Sequence, residues 1–271
     1  MNTHTTIYTL QQGTAPLLVS MPHIGTDIPA DLRAHYVPRA LQVEDTDWHL
    51  ARLYNFLDEL GASVLMPKTS RYVIDLNRPP DDAPMYPGAS NTELCPTRFF
   101  TGEPLYHSRQ APDATERARR CHNYWQPYHS AMATELARLK AQYGYALLWD
   151  AHSIRSEIPW LFDGRLPDLS IGTASATSAD PALTAAVLQA CGAYPQFSTA
   201  VNGRFKGGYI TRHYGHPDQD IHAIQLEMCQ NLYMQEEAPF AFDAARAALV
   251  QVLLKKMVAS PLEICRMRYE K

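Results

Sequence analysis

Short apolar runs alternate along the chain with longer segments in which apolar residues recur at helical spacing. This alternation is typical of an α/β protein, in which helices cover a central sheet. Seven apolar runs are predicted to be strands: residues 7–10, 16–21, 62–66, 72–76, 145–149, 169–172 and 222–227. Three segments are predicted to be helices: residues 47–60, 114–143 and 239–257. We expect one domain over residues 1–271, a size that a single α/β core can reach.

The segment from residue 79 to residue 112 interrupts this alternation. It is rich in proline, glycine and polar residues and has no clear period, so it is predicted to be a long loop. Loops of this length inside a compact domain are usually functional, often as a lid or as part of a binding site.

The overall composition favours a globular enzyme that acts on a small molecule. Hydrophobic residues make up 46% and charged residues 19%, and the net charge of −4 creates no basic field that would attract nucleic acid. No apolar run reaches the roughly 18 residues of a membrane span, and the N-terminus lacks the pattern of a signal peptide. The five cysteines are odd in number and widely spaced, which disfavours a disulfide framework. We therefore expect a cytoplasmic protein without nucleic-acid or membrane partners.

Two histidines follow apolar runs that are predicted to be strands. His23 comes after the run 16–21, and His152 comes after the run 145–149 with Asp150 between them. Because ligands of α/β folds bind outside the carboxyl ends of the strands, both imidazoles could meet at one metal, and Asp150 could orient His152 through its second nitrogen. Taken singly, each histidine could instead be a hydrogen-bonding loop residue, and Asp150 a helix cap.

A catalytic zinc ion keeps three protein ligands and one open position, so a third ligand is needed. The start of the predicted helix 47–60 offers Asp47, which we favour over the neighbouring Asp45. His49 is a further option, although it would point to a different face of a helix from Asp47. Both aspartates could instead cap the helix and complement its dipole.

Other charged residues lie beside the same elements. Glu227 ends an apolar strand, where burial would raise its pKa as in a general base, although a salt-bridged structural glutamate is the competing interpretation. Arg71 and Arg78 flank the run 72–76, and Arg212 follows a glycine pair. Guanidinium groups bind carboxylates bidentately, so several around one pocket would imply a substrate with more than one carboxylate.

Six segments in order resemble one family, the N-formylglutamate amidohydrolases: PHIGTDIP, DTDWHLARLY, SRYVIDLNRPPDD, WDAHSIRSEIP, GRFKGGYITRHYGHP and HAIQLEMCQNLYM. The resemblance covers nearly the whole chain. It implies a three-layer α/β/α fold with a mixed sheet, similar to the zinc carboxypeptidases, whose Asn-Arg pair for a substrate carboxylate is matched by Asn77 and Arg78. The chain departs from the carboxypeptidase pattern because no glutamate lies three residues after His23.

The resemblance further implies hydrolysis of N-formyl-L-glutamate to formate and L-glutamate in histidine degradation. His23, Asp47 and His152 would hold zinc or another divalent transition metal. Glu227 would be the general base and Arg71 would stabilise the oxyanion. Asn77, Arg78 and Arg212 would hold the two carboxylates of the small-molecule substrate.

Three other functions remain open from the residues alone. The same chemistry could act on another N-acyl amino acid, because sequence indicates the reaction type better than the length of the pocket. The chain could be a non-catalytic dicarboxylate-binding protein, although the residues for chemistry are present. A serine hydrolase is disfavoured, because Ser153 follows His152 but no G-x-S-x-G segment presents it as a nucleophile.

Overall fold

The computed structural model describes residues 6–85 and 92–269. Its strands are β1 (Tyr8–Gln11), β2 (Leu17–Ser20), β3 (Ser63–Pro67), β4 (Ala146–Ile154), β5 (Leu169–Gly172), β6 (Thr199–Val201) and β7 (Ile221–Cys229). Over these described residues the strands form one sheet in the order β1-β3-β2-β4-β7-β5-β6.

The sheet is mixed, as the family resemblance implies. The four central strands β3, β2, β4 and β7 are parallel, whereas β1 pairs antiparallel with β3 and β5 pairs antiparallel with β7. Strands β4 and β7 are almost entirely buried over nine residues each. Long apolar strands of this kind suit the centre of a parallel sheet that is covered on both faces.

Helices lie on both faces of the sheet and complete an α/β/α arrangement, which confirms the expected fold class. The α-helices are α1 (Ala30–Arg33), α2 (Leu50–Leu53), α3 (Ala114–Arg120), α4 (Gln126–Tyr143), α5 (Pro181–Gly192), α6 (Tyr209–Tyr214) and α7 (Ala244–Tyr269). Helices α4 and α6 pack on the face of Leu18, Leu148 and Ala223, and helices α5 and α7 pack on the face of Val19 and Trp149.

The segment 114–143 is helical throughout, as predicted. Asp113 caps the start of α3 by accepting a 2.8 Å hydrogen bond from the Glu116 N–H, and a single π-helical turn (Cys121–Trp125) joins α3 to α4. Helix α4 ends at Tyr143, and Gly144 caps it. The φ of +85° at Gly144 suits glycine because it has no side chain to clash.

The prediction of a strand at 72–76 is wrong. The segment forms turns, because polar groups within and near it satisfy its backbone: Tyr72 N–H donates to the Ser70 hydroxyl, and Asn77 N–H donates to the Asp75 carboxylate. The Asp75 N–H donates to the Leu94 carbonyl in a loop rather than to a neighbouring strand. The apolar run at 72–76 therefore indicates that these residues are buried. It does not indicate that they form a strand of the sheet.

Two helix predictions need correction as well. Only Leu50–Leu53 of the segment 47–60 is α-helical, since His49 enters it with a left-handed φ of 63° and the residues after Leu53 form successive turns. The last helix begins at Ala244 rather than at 239 and continues past 257 to Tyr269, through an internal Pro261.

The long loop predicted at 79–112 has no helix or strand in its described parts, 79–85 and 92–112, and residues 86–91 lie outside the described residues. Of the helices in the described chain, none has both the length and the apolar character that a bilayer span requires.

Candidate metal centre and substrate cavity

The candidate site lies at the carboxyl ends of the central strands, on the face covered by α4 and α6. Asp150 pairs in register with Gln225, and His152 pairs in register with Glu227, on the adjacent parallel strands β4 and β7. Side chains alternate along a strand, so Asp150 and His152 share one face, and Glu227 stands beside His152 at the spacing of neighbouring strands.

Two loops bring the other polar groups to this edge. His23 lies just beyond β2, and its carbonyl accepts a 3.0 Å hydrogen bond from the Asp47 N–H. The loop that carries Asp47 is held by the segment after β7, because Gln230 donates to the Thr46 carbonyl and the Tyr233 hydroxyl donates to the Trp48 carbonyl, each at 2.9 Å.

His23, Asp47 and His152 converge on one point. The Nδ1 atoms of the two histidines are 3.1 Å apart, and Asp47 Oδ2 lies 3.3 Å from His152 Nδ1 and 3.7 Å from His23 Nδ1. A tetrahedral zinc ion with bonds of about 2.0–2.1 Å would separate its ligand atoms by about 3.3–3.4 Å. All three residues are buried, and together they form a cluster that could hold a metal ion.

The second nitrogen of each imidazole faces a buried carboxylate. His23 Nε2 lies 2.7 Å from Asp75 Oδ1, and His152 Nε2 lies 3.1 Å from Asp150 Oδ2. A carboxylate in this position fixes the ring with Nδ1 facing the ion and makes the imidazole a better ligand. The donor set, its spacing and the surrounding negative charge therefore fit a divalent metal.

Electrostatic interactions in the cluster are strong. Burial alone would raise the pKa of Asp47 and Asp75, but nearby histidines, and Arg71 beside Asp75, outweigh burial and lower both pKa values. Burial alone would lower the pKa of His152, but the Asp150 and Asp47 carboxylates outweigh it and raise that pKa well above its usual range. In the protein alone, the His152 imidazole thus balances charge that a bound cation would balance instead.

The structure separates the three candidates for the third ligand. Asp45 is buried elsewhere: its Oδ2 accepts hydrogen bonds from the Tyr72 hydroxyl at 2.7 Å and from the Phe100 N–H at 2.9 Å. His49 is directed to the Phe240 carbonyl, 2.7 Å from its Nε2. Only Asp47 of these three is brought to the histidine pair.

A cavity of about 640 Å³, measured out to its open mouth, adjoins the cluster. The lining includes His23, His152, Glu227, Arg71, Asn77, Arg78, Thr92, Phe100, Ile154, Leu161, Arg204, Phe205, Gly208 and Gln225.

Glu227 is the acidic residue in this lining, and it is 8% exposed. Burial, reinforced by the nearby Asp47 carboxylate and opposed by His152 and Arg71, raises the pKa of Glu227 to about 8. Arg71 lies across the cluster, with Nη2 donating to Asp75 Oδ2 at 3.0 Å and Nη1 3.6 Å from Asp47 Oδ1.

The structure distinguishes the residues expected to bind substrate. Arg78 is half-buried in the cavity wall and donates to Thr92, and no carboxylate of the described residues lies within ion-pair distance of it. Asn77 lines the cavity, but its Nδ2 lies 2.9 Å from His152 Nε2 and its Oδ1 accepts from the Ile210 N–H at 2.8 Å. Arg212 is exposed, outside the cavity lining of the described residues, and donates to the Gly207 carbonyl at 2.9 Å.

Sequence reasoning did not single out Asp75, Arg204, Phe205 or Gln225 as site residues. Asp75 lies in the segment 72–76, which was predicted to be a strand and not part of the site. Gln225 follows the alternation of β7 and could have been found from Glu227, two residues later on the same face. No local strand or helix pattern points to Arg204 or Phe205 as site residues, because they reach the cavity through the fold of the loop before α6.

The glycine pair before α6 shapes this wall. Gly207 has a φ of +107°, and a side chain at Gly208 would clash with the Asn77 amide. The Gly208 N–H donates to Gln225 Oε1 at 2.7 Å. The pair therefore lets the loop approach the site closely and start α6 against it.

Ser153 is poorly placed to act as a nucleophile. Alternation along β4 directs it to the opposite face from His152, where its hydroxyl oxygen lies 2.7 Å from the Tyr233 hydroxyl oxygen. Its backbone N–H donates to Asp47 Oδ2 at 3.2 Å, so this residue supports the third ligand.

Residues 15–234 match the family model of N-formylglutamate amidohydrolase. The chain belongs to this family. The matched region contains the His-Asp-His cluster, Glu227 and the whole cavity lining, whereas helix α7 lies beyond it.

Individual members of the N-formylglutamate amidohydrolase family are similar over nearly their full length. The chain is 52% identical to an N-formylglutamate deformylase of Pseudomonas aeruginosa over 97% of this chain and 98% of that protein. It is 48% identical to an N-formylglutamate deformylase of Pseudomonas putida, over 98% and 99%. The crystal structure of N-formylglutamate amidohydrolase from Ralstonia eutropha JMP134 superposes with a TM-score of 0.78 and 25% identity, covering 96% of this chain and 97% of that one.

Proposed function

We propose that this protein hydrolyses N-formyl-L-glutamate to formate and L-glutamate with the help of a divalent metal, and that zinc is that metal. The observation that carries the proposal is the convergence of two imidazoles and a carboxylate beside Glu227, in a cavity lined by arginines. Two imidazoles and one carboxylate are a ligand set of catalytic zinc sites. Membership of the N-formylglutamate amidohydrolase family and the named deformylase relatives support the substrate.

His23, Asp47 and His152 would hold the ion, with Asp75 and Asp150 orienting the two rings. When bound, zinc supplies a Lewis acid that acidifies water and polarises the formyl carbonyl.

Glu227 acts as the general base in this proposal. It would accept the proton of the attacking water and return it to the amino nitrogen as the C–N bond of the formamide breaks. Its burial suits this role, because a raised pKa makes a carboxylate a stronger base. Arg71 supplies fixed positive charge for the developing oxyanion, held in place by Asp75.

Arg78 binds a substrate carboxylate in this proposal, since its guanidinium lines the cavity beside the cluster. We expect Asn77 to act indirectly: its Nδ2 donates to Asp150 Oδ2 at 3.3 Å and its Oδ1 accepts from the Ile210 N–H, so it supports the carboxylate that orients His152.

The cytoplasm is the compartment that we propose, and histidine degradation the route in which formylglutamate would be consumed. All five cysteines are free thiols, which supports a reducing compartment.

The test is release of formate from N-formyl-L-glutamate by the purified protein, compared with N-acetyl- and N-succinyl-L-glutamate and with N-formyl-L-aspartate. We expect the highest kcat/KM with N-formyl-L-glutamate. Removal of metal by a chelator should abolish formate release, and titration with Zn²⁺, Co²⁺, Mn²⁺ or Fe²⁺ should show which ion restores it best. A higher kcat/KM with a longer acyl group, or full activity after metal removal, would contradict the proposal.

A further inference from the structure

A third arginine in the cavity wall, Arg204, is absent from the set that the sequence indicated. It is half-buried, and its Nη2 donates a 2.9 Å hydrogen bond to the Leu161 carbonyl. Its guanidinium carbon lies 6.0 Å from the centre of the Phe205 ring. These contacts hold a positive charge at one place in the cavity wall.

Arg204 and Arg78 occupy different parts of the cavity. Arg78 directly follows Asn77, whose amide touches His152, so Arg78 stands next to the metal cluster. Arg204 donates to the carbonyl of Leu161, and Leu161 packs in one apolar cluster with Phe100, Ile154 and Phe205. Ile154 is two residues beyond His152 on β4, roughly 7 Å farther along the strand. Apolar side chains thus adjoin the wall at which Arg204 is found.

The groups of the proposed substrate follow one another in the same order as these parts of the cavity. Its formyl carbon reacts at the metal cluster, its α-carboxylate is attached to the carbon next to the formylated nitrogen, and its side-chain carboxylate follows two methylene groups later. Methylenes favour apolar surface, and a carboxylate favours a guanidinium held in a fixed position.

We propose that Arg204 binds the side-chain carboxylate of the substrate and Arg78 binds its α-carboxylate, so that Arg204 determines the preference for an acidic amino acid. This inference rests on the proposed function. Other arginines are less suitable: Arg71 is paired with Asp75 and Asp47, and Arg212 is exposed outside the cavity lining.

The experiment compares N-formyl-L-glutamate with N-formyl-L-glutamine, which has the same shape and a neutral amide in place of the side-chain carboxylate. Arg204→Met should lower kcat/KM for the glutamate substrate by roughly 10- to 100-fold, mostly through KM, because a charge-assisted hydrogen bond is lost. The value for the glutamine substrate should stay within about twofold, since an amide gains little from the guanidinium.

Matched variants make the result specific. Arg78→Met should lower kcat/KM for both substrates alike, because both carry the α-carboxylate. Arg266→Met removes an equal charge from an exposed position on α7 and should change neither value. Metal content and melting temperature show whether each variant is folded and loaded. Should Arg204→Met be unfolded, Arg204→Lys keeps the charge without the planar fork and should lower kcat/KM selectively for the glutamate substrate.

Three results would overturn the inference, and they separate it from the proposed function. An Arg204→Met enzyme with wild-type preference for the glutamate substrate, or an Arg212→Met enzyme that loses this preference, places the side-chain carboxylate elsewhere while the proposed function stands. Absence of formate release from N-formyl-L-glutamate by the metal-loaded wild type overturns the proposed function and the role of Arg204 together.

Discussion

His129 should make the stability of this protein sensitive to mild acid. The imidazole is 4% exposed, on α4, with Nε2 donating a 2.9 Å hydrogen bond to the Leu76 carbonyl and with Nδ1 3.0 Å from the Tyr214 hydroxyl. Leu76 directly precedes Asn77 and Arg78, so His129 supports the segment that reaches the site. Burial lowers the pKa of His129 to about 3, from an ordinary value of 6.5.

The direction of the pH effect follows from proton binding. Between pH 6.5 and pH 3 the unfolded chain holds a proton on this histidine and the folded protein does not, so stability falls as the pH falls. The loss of stability that His129 causes is absent above about pH 6.5, and it grows as the pH falls to about pH 3. A shift of this size corresponds to roughly 2 kcal/mol lost between pH 7 and pH 5, and roughly 4 kcal/mol lost between pH 7 and pH 3.

The assay is urea unfolding at pH 7 and pH 5 of the wild type and of His129→Gln, with ΔG extrapolated to zero denaturant. Glutamine can still donate to the Leu76 carbonyl but does not titrate. Between pH 7 and pH 5 the stability of His129→Gln should fall by roughly 2 kcal/mol less than that of the wild type, because contributions of all other groups cancel in the comparison.

The control is His122→Gln, at an exposed position in the π-helical turn before α4, which leaves the buried imidazole in place. Its change in stability between the two pH values should equal that of the wild type. Parallel pH dependences of the wild type and His129→Gln would refute the reasoning, because the buried histidine would then titrate alike in the folded and unfolded states.

Four further predictions concern the site. His23→Ala and His152→Ala should each lose metal and activity together, and full metal occupancy after dialysis, by elemental analysis, would remove that histidine from the site. Asp75→Asn should weaken metal affinity by roughly 10- to 100-fold in a competition titration with a chromophoric chelator, whereas wild-type affinity would show that this carboxylate does not tune the ligand. Glu227→Gln should lower kcat at least about a hundredfold with metal retained, and near-normal turnover of the loaded protein would disprove its role as base. Arg78→Ala should raise KM more than it lowers kcat, and an unchanged KM for N-formyl-L-glutamate would place it outside the binding site.

Several features of this protein could be predicted from sequence because they depend on local periodicity. The apolar runs in β4 and β7 predict strands, and the helical spacing of 114–143 predicts a helix. Once a strand is recognised, alternation also determines which of its side chains share a face. His152 and Glu227 are site candidates from sequence because each stands at the end of a predicted strand, whereas the structure alone gives their register.

Tertiary structure alone decided which loops meet at the end of the sheet. Asp45, Asp47 and His49 lie within five residues, and only Asp47 reaches the histidines, because hydrogen bonds from Gln230 and Tyr233 on a distant segment hold its loop. Arg204 and Arg212 belong to one short segment, yet the turn at Gly207–Gly208 separates an arginine in the cavity from one in solvent. Periodicity describes neighbours along one strand or helix, whereas the placement of a loop depends on contacts with residues far away in sequence, which no local pattern encodes.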